Sequence, residues 1–224
     1  MWKIFAALLC LIVGIVCGIA VLPYAASEMV ADALRQQTAA EDVQVSIIDS
    51  PRLIFGEIGA IDGVVRQGRI GKIFVRELTM TGTGIRFEPL TLLREQKVVV
   101  TEAESIELHG IIDEDAIREL ITKSSSKFED VAVTVTPGNV LATAKTRAFG
   151  QTFEVEIDGA FTIVSGDLYY KVRSISARGK GMNALRLDAL FEDVIVARAD
   201  SLPFGLAFQN VEARDSVVTL TARK

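Results

Sequence analysis

The feature that most constrains this chain is an alternation of apolar and polar residues along residues 131–177. Successive side chains of a β-strand point to opposite faces, so this alternation gives strands with one apolar face and one face in water. Turn sequences at Pro137-Gly138-Asn139 and at Ser165-Gly166-Asp167 separate the alternating stretches. The pattern predicts a meander of antiparallel strands with a one-sided apolar lining.

Within this meander the apolar positions shift by one residue, from Leu168, Tyr170 and Val172 to Ile175 and Ala177. Such a shift indicates a β-bulge, which bends a strand and increases its twist. We therefore expect a curved sheet, and a curved sheet can enclose a groove.

Composition argues against several classes of function. The chain of 224 residues carries 29 acidic and 24 basic side chains, which is a poor basis for binding nucleic acid. His109 is the only histidine, and both cysteines, Cys10 and Cys17, lie in the N-terminal apolar run. Thiolate or histidine metal sites, cofactor motifs and the usual nucleophiles are therefore not expected, and we predict that the protein is not an enzyme.

The N-terminus contains an uninterrupted apolar run from Ile4 to Leu22, preceded by Lys3. About 20 apolar residues span a bilayer, whereas the apolar part of a signal peptide has about 7–15. Residues 1–22 are therefore predicted to be a signal anchor, with a cleaved signal peptide as the alternative. The positive-inside rule then predicts a single-pass protein of the cell membrane whose C-terminal domain is extracytoplasmic, in the periplasm or at the cell exterior.

Gly14 and Gly18 lie four residues apart in this run, a spacing that allows two membrane helices to approach closely. The pair suggests a homodimer, although glycine is also common in membrane helices for other reasons.

Three amphipathic helices are expected outside the run. The first, capped by Ser27 and continuing to about Ala39, belongs to a helical linker over residues 23–42 and is expected to pack on the sheet. The second begins after Asp113, which precedes acidic residues favourable at a helix N-terminus. The third is capped by Asn183, and its apolar stripe is Leu187, Leu190, Phe191 and Val194.

The remaining sequence reads as strands of one α+β domain over residues 43–224. Residues 51–55 are expected to form a short helical turn that ends at Gly56. The stretch from Gly59 to Phe87 predicts two or three strands, with turns near Gly68 and at Gly82 and Gly84.

An apolar groove in the meander is the candidate functional site. Removing an acyl chain of about sixteen carbons from a bilayer costs roughly 13 kcal/mol, at about 0.8 kcal/mol per methylene, so a long apolar lining must replace it. The candidate lining residues are Ile117, Leu120, Val133, Val135, Phe153, Val155, Ile157, Phe161, Ile163, Leu168, Tyr170, Phe204 and Phe208. The alternative interpretation is that these residues form the ordinary core between sheet and helices.

The order of elements and three local stretches carry a family resemblance. The stretches are Gly82-Thr83-Gly84-Ile85-Arg86-Phe87 ahead of Leu90-Thr91-Leu92-Leu93, Ile112-Asp113-Glu114-Asp115-Ala116-Ile117, and Leu202-Pro203-Phe204-Gly205-Leu206. Over about residues 43–224 the chain resembles the LmeA-like phospholipid-binding family of bacterial envelope proteins. The resemblance implies a TULIP-like fold, in which a curved antiparallel sheet wraps around amphipathic helices, together with phospholipid binding and a role in envelope lipid maintenance.

These observations favour a membrane-anchored extracytoplasmic protein that binds a phospholipid or another acyl-chain lipid in an apolar groove. The alternative is an envelope scaffold whose core is filled by its own helices and whose surface binds a protein partner. A third hypothesis, an envelope enzyme or an activator of one, requires a cleft of perturbed acidic groups that the sequence does not indicate.

Overall fold

The fold is taken from a computed structural model, which describes residues 24, 26–32, 34–36, 38–40, 42–48, 53–95, 99–124, 128–148, 151–179, 185–186 and 193–224. Within this part of the chain, no helix has both the length and the apolar character needed to cross a bilayer. The predicted anchor Ile4–Leu22 and the pair Gly14 and Gly18 lie outside the described residues.

The described chain is mostly antiparallel β-structure in two sheets, where the sequence predicted one. The strands of the first sheet are β1 (Asp42–Ile48), β2 (Glu57–Ile70), β3 (Ile73–Phe87), β4 (Val100–Glu102), β5 (Ser105–Asp113), β12 (Ala207–Arg214) and β13 (Val217–Arg223). Their order is β1-β2-β3-β5-β13-β12, and β4 pairs along β3.

The second sheet is the predicted meander. Its strands are β6 (Phe128–Thr136), β7 (Asn139–Ala148), β8 (Gln151–Val164), β9 (Asp167–Gly179), β10 (Leu185–Arg186) and β11 (Val194–Ala197). The order is β10-β9-β8-β7-β6, with β11 also paired to β9. Between β8 and β9 the register passes from Asp158 opposite Ser174 to Gly159 opposite Val172, which leaves Arg173 as an extra residue. The predicted bulge is therefore confirmed.

The long β2–β3 hairpin differs from the prediction. Its turn is at Gly71, with a positive φ of 58°, and Gly82 and Gly84 lie inside β3. The expectation of turns at Gly82 and Gly84 was wrong because these glycines bend a continuous strand. Buried positions change parity twice along β2, between Ile58 and Ile61 and between Val65 and Gly68. The paired residues of β3 change parity with them, and these changes curl the hairpin.

The prediction of a third helix is also wrong for those of its residues that the structure describes. Leu185–Arg186 forms β10 against Ser176 and Ala177, and Val194 begins β11. Both segments pair with β9, so ladder hydrogen bonds determine the local structure in place of the helical apolar spacing. The other positions of that stripe, Leu187, Leu190 and Phe191, lie outside the described residues.

In the described part of the chain, three α-helices accompany the sheets. Helix α1 comprises the helical residues 24, 26–32, 34–36 and 38, α2 is Pro89–Glu95, and α3 is Glu114–Ser124. Helix α1 buries Ala26, Val30, Leu34 and Thr38, which are spaced four residues apart on one face. Helix α3 begins as predicted, because the Asp113 carboxylate accepts a hydrogen bond from the Ala116 N–H at 2.9 Å. The prediction that α1 packs on the fold is confirmed for its described residues.

Backbone hydrogen bonds join the two sheets at the hairpin turns of the meander. The Gly138 N–H donates to Ala213 O at 3.1 Å, and the Phe208 N–H donates to Gly166 O at 3.1 Å. Strand β12 therefore lies across the β6–β7 and β8–β9 turns, so its edge is covered by the chain itself. At the turn between β2 and β3, the Lys72 N–H donates to Val196 O in β11 at 3.0 Å.

Candidate functional site

The apolar face of the first sheet is covered by α1. Val30 and Leu34 of this helix are 3% and 1% exposed, and the facing side chains of β2 and β3 are buried as well. Thr38 lies near Gly68, where an added Cβ would be 3.3 Å from Thr38 Cβ. Helix α1 therefore runs along β2, with Val30 near Ile58 and Ile61 and its C-terminal end near Gly68.

A narrow apolar slot lies between α1 and the first sheet. Its volume is about 10 Å³, which is room for a single water-sized sphere. Every lining residue is apolar: Val30, Ile58, Ile61, Met80, Ile85, Val100, Ile106 and Phe204. In this conformation the slot is a seam between two apolar surfaces and holds no acyl chain.

The apolar face of the meander is closed by aromatic packing. The Tyr170 ring lies over Gly159, where an added Cβ would be 2.6 Å from Tyr170 Cζ, and it meets the Phe161 ring edge-on at a centroid distance of 5.4 Å. Tyr170 Oη donates to Val140 O at 3.1 Å. Burial, and then the charge of Asp158, raises the pKa of the Tyr170 hydroxyl, with Arg173 acting in the opposite direction. Tyr170 thus remains a neutral hydrogen-bond donor inside the meander.

The predicted groove residues occupy several places. Most are buried in one continuous core: Ile117, Leu120, Val135, Val155, Ile157, Phe161, Leu168, Tyr170 and Phe208. Val133, Ile163 and Phe204 are partly buried and pack against that core, and Phe153 is half-buried on β8. Among these residues Phe204 also lines the slot. Burial alone does not test contact with a lipid, so their assignment to a lipid groove stays a prediction.

Sequence reasoning missed the slot residues contributed by β2, β3, β4 and β5. The changes of parity in β2 and β3 hide the alternation that makes the meander easy to recognise. If the alternation in residues 57–87 is followed anew after each change of parity, it places Ile58, Ile61, Met80 and Ile85 on one face.

A second, polar cleft of about 600 Å³ lies beside α3. Arg69 Nη2 and Glu119 Oε1 are 3.3 Å apart there, and Lys123 also hydrogen-bonds Glu119. The hydrogen bond from Lys123 lowers the pKa of the Glu119 carboxyl. Desolvation opposes this effect, and the charges of Lys123 and Arg69 lower the pKa further. The cleft carries paired surface charges, which contribute little individually.

Groups suited to metal binding are not clustered in the described part of the chain: no three His, Cys, Asp or Glu residues lie together there. Buried side-chain polar atoms lacking a hydrogen-bond partner are confined, among the described residues, to Asp158 Oδ1 on β8, opposite the bulge in β9. The interior of the fold is thus dominated by apolar contacts.

Comparison with known proteins gives one family. The sequence model described as LmeA-like phospholipid-binding matches residues 18–223, which is nearly the whole chain. No curated protein and no solved structure gives a significant match.

Proposed function

Since the chain belongs to the LmeA-like phospholipid-binding family, we propose that it binds a phospholipid, or another acyl-chain lipid, between α1 and the first sheet. The observation that carries this proposal is the slot lined entirely by apolar side chains at the seam between a helix and a curled sheet. A seam without polar groups can accept an acyl chain without leaving a buried donor or acceptor unpaired.

Lipid uptake in this proposal requires α1 to move. The slot of about 10 Å³ is far smaller than an acyl chain, and helix α1 is the element that covers it. Separating α1 from the sheet exposes Val30 and Leu34, and the incoming acyl chain replaces those apolar contacts. The exchange leaves the amount of buried apolar surface nearly unchanged, which permits reversible loading.

We further propose that the apolar run Ile4–Leu22 anchors the protein in the cell membrane and that the domain is extracytoplasmic. The protein then holds or transfers lipid for maintenance of the cell envelope and performs no chemistry of its own. The support is the length of the apolar run together with the family assignment.

Native mass spectrometry of the full chain extracted from membranes tests lipid binding. We expect a phospholipid adduct on the wild-type protein and a strongly reduced adduct on Val30→Trp, because the larger side chain fills the seam from the α1 side. Val164→Trp is the matched control, since Val164 is 52% exposed at the end of β8 and should keep the adduct. A folded wild-type protein that never carries lipid, even after incubation with phosphatidylcholine vesicles, would exclude the proposal.

The second candidate function is an envelope scaffold that binds a protein partner. It is favoured by the dense packing of the meander, where Leu168 is fully buried and Ile175 is 1% exposed. If lipid is absent from the purified wild-type protein and the protein is found in a stable complex, the scaffold becomes the better description.

A further inference from the structure

Large exposed hydrophobic side chains are concentrated at one end of the first sheet. Seven are exposed in the described part of the chain, and five of them belong to this end: Tyr24 (71%), Ile48 (49%), Phe55 (75%), Leu90 (66%) and Val99 (40%). We call these five residues the apolar rim. Val164 and Val194 lie elsewhere, on β8 and β11.

Backbone contacts bring most of the rim together. Ile48 is the last residue of β1 and pairs with Ala60 near the start of β2. Phe55 precedes Gly56, whose O accepts from the Phe87 N–H at 2.9 Å where β3 ends. The Glu88 N–H donates to Val99 O at 3.2 Å, immediately before α2 and Leu90. These segments are therefore neighbours at the edge formed by the ends of β1 and β3 and the start of β2.

Helix α1 brings Tyr24 to the same end. Val30 lies near Ile58 and Ile61, while Thr38 lies near Gly68 farther along β2. Tyr24 precedes Val30 by six residues, or about 9 Å of helix, in the direction away from Thr38. That direction leads toward Phe55 and the start of β2.

Part of the rim lies next to the end of the slot. Ile58 and Ile85 line the slot and lie opposite each other in the β2–β3 pairing, next to the segment that carries Phe55. Val100 lines the slot directly after the exposed Val99.

We infer that the apolar rim docks the domain on a bilayer surface and is the port through which an acyl chain passes into the slot. This inference rests on the proposed lipid binding and specifies where the lipid enters. The apolar run ends at Leu22, and only Pro23 separates it from Tyr24 of the rim, so a bilayer that holds the run lies directly against this end. Tyrosine is enriched at such interfaces, where its ring meets lipid and its hydroxyl meets water.

The charges beside the rim are consistent with an uncharged bilayer. Arg86 is ion-paired with Glu57 at 3.4 Å and with Glu102 at 2.8 Å, so this cation is already engaged by carboxylates of the protein. Docking therefore depends on apolar side chains entering the interface, and neutral phosphatidylcholine is a sufficient surface.

Fluorescence quenching in proteoliposomes tests the docking. The full chain carrying Cys10→Ala and Cys17→Ala receives one cysteine at Phe55, at Leu90 or at Lys72, and each is labelled with an environment-sensitive dye. In phosphatidylcholine vesicles containing nitroxide lipids, dyes at 55 and 90 should be quenched strongly. The dye at Lys72 should not be quenched, because about 40 Å of strand length along β2 lies between Lys72 and the rim. Equal quenching at all three sites, or quenching at none, would overturn the inference.

A loading experiment separates failure of the port from failure of lipid binding. Delipidated wild-type protein, Phe55→Ser/Leu90→Ser and the control Val164→Ser are loaded either from phosphatidylcholine vesicles or from a monomeric short-chain phosphatidylcholine, and the adduct is counted by native mass spectrometry. We expect the double variant to load from vesicles about tenfold more slowly than wild type and to load normally from monomers. Equal loading of all three proteins from vesicles would reject the port. A wild-type protein that loads from neither source would instead reject the proposed function.

Discussion

The two sheets have the same kind of apolar face but differ in what covers it. On the meander, Tyr170 packs over Gly159 from within the sheet, α3 contacts β6, and backbone hydrogen bonds hold β12 across the hairpin turns. On the first sheet, α3 contacts β3 and β5, and α1 covers β2 through a stripe of apolar side chains. The meander is thus joined to β12 by directional main-chain bonds, whereas α1 contacts the first sheet through apolar side chains and, in our proposal, separates from it.

The difference shows that alternation predicts a buried face and leaves its covering undetermined. Arg35 Nη2 donates to Val43 O at 3.3 Å, a long hydrogen bond that joins α1 to β1. The hydrogen bonds between the meander turns and β12 join main-chain groups and are 3.1 Å long. We therefore expect movement at the first sheet and rigidity in the meander, in agreement with the proposed entry of lipid at the first sheet.

The largest expected effect tests whether the sheets unfold as one unit. Leu108 on β5 and Leu168 on β9 are both fully buried. Replacing either with alanine should lower the free energy of unfolding by about 2–5 kcal/mol, since each change removes buried methyl groups and leaves a cavity. Urea denaturation followed by circular dichroism measures the loss, with Val164→Ala as the exposed control. If urea produced two separate transitions and each variant shifted only one of them, the two sheets would unfold independently.

The next effect contrasts a glycine in each sheet. At Gly159 an added Cβ would lie 2.6 Å from both Tyr170 Cζ and the Lys171 carbonyl oxygen, whereas at Gly110 the nearest atom is the tip of Leu78 at 3.3 Å. Gly159→Ala should therefore cost about 1–3 kcal/mol by overpacking, because a backbone atom cannot yield. Gly110→Ala should cost less than about 1 kcal/mol, since a leucine methyl can rotate and alanine is less costly to order than glycine. Thermal melts of the two variants give the comparison, and equal losses would mean that the meander is no more rigid than the first sheet.

The same contrast explains what could be predicted from the sequence. The meander, its turns and its bulge are local features: the alternation, the turn residues and the parity shift after Val172 each leave a mark within a few residues. The α3 cap is local as well, because Asp113 reaches the Ala116 N–H within one turn. These elements were predicted because their causes are close together in sequence.

The slot could not be predicted in this way. Its walls come from α1, β2, β3, β4, β5 and Phe204, and their meeting depends on contacts between distant residues. Two frame changes in the β2–β3 hairpin hide its apolar face, and the helical spacing after Asn183 is overridden at Leu185–Arg186 by pairing with β9. The sequence pattern therefore predicted the meander correctly and missed the slot between α1 and the first sheet.

Alkaline pH probes the closure of the meander. The pKa of Tyr170 is raised in the folded state, so below about pH 10 both states are protonated and the residue adds no pH dependence. As pH rises above 10 the unfolded tyrosine ionises first, and stability falls by up to about 1.4 kcal/mol per pH unit until the folded hydroxyl also ionises. Tyr170→Phe lacks this loss.

The measurement is the free energy of unfolding of wild type and Tyr170→Phe at pH 8 and pH 11. At pH 8 the variant should be less stable by about 1 kcal/mol, because it loses the hydrogen bond to Val140 O. At pH 11 the difference should vanish or reverse. A difference that stays constant would indicate that Tyr170 is accessible to solvent and that the meander opens as readily as the first sheet.

The smallest effect concerns α3, which begins at the end of β5 and packs against β6 of the meander. Asp113→Ala removes the acceptor for the Ala116 N–H and should cost about 1 kcal/mol. Asp113→Asn is the control, because asparagine caps a helix about as well and should restore most of the stability. Amide hydrogen exchange compares the two sheets in each variant. If α3 couples the sheets, Asp113→Ala should accelerate exchange in β6 as well as in β5; faster exchange in β5 alone would mean that the backbone bonds at β12 hold the sheets together without α3.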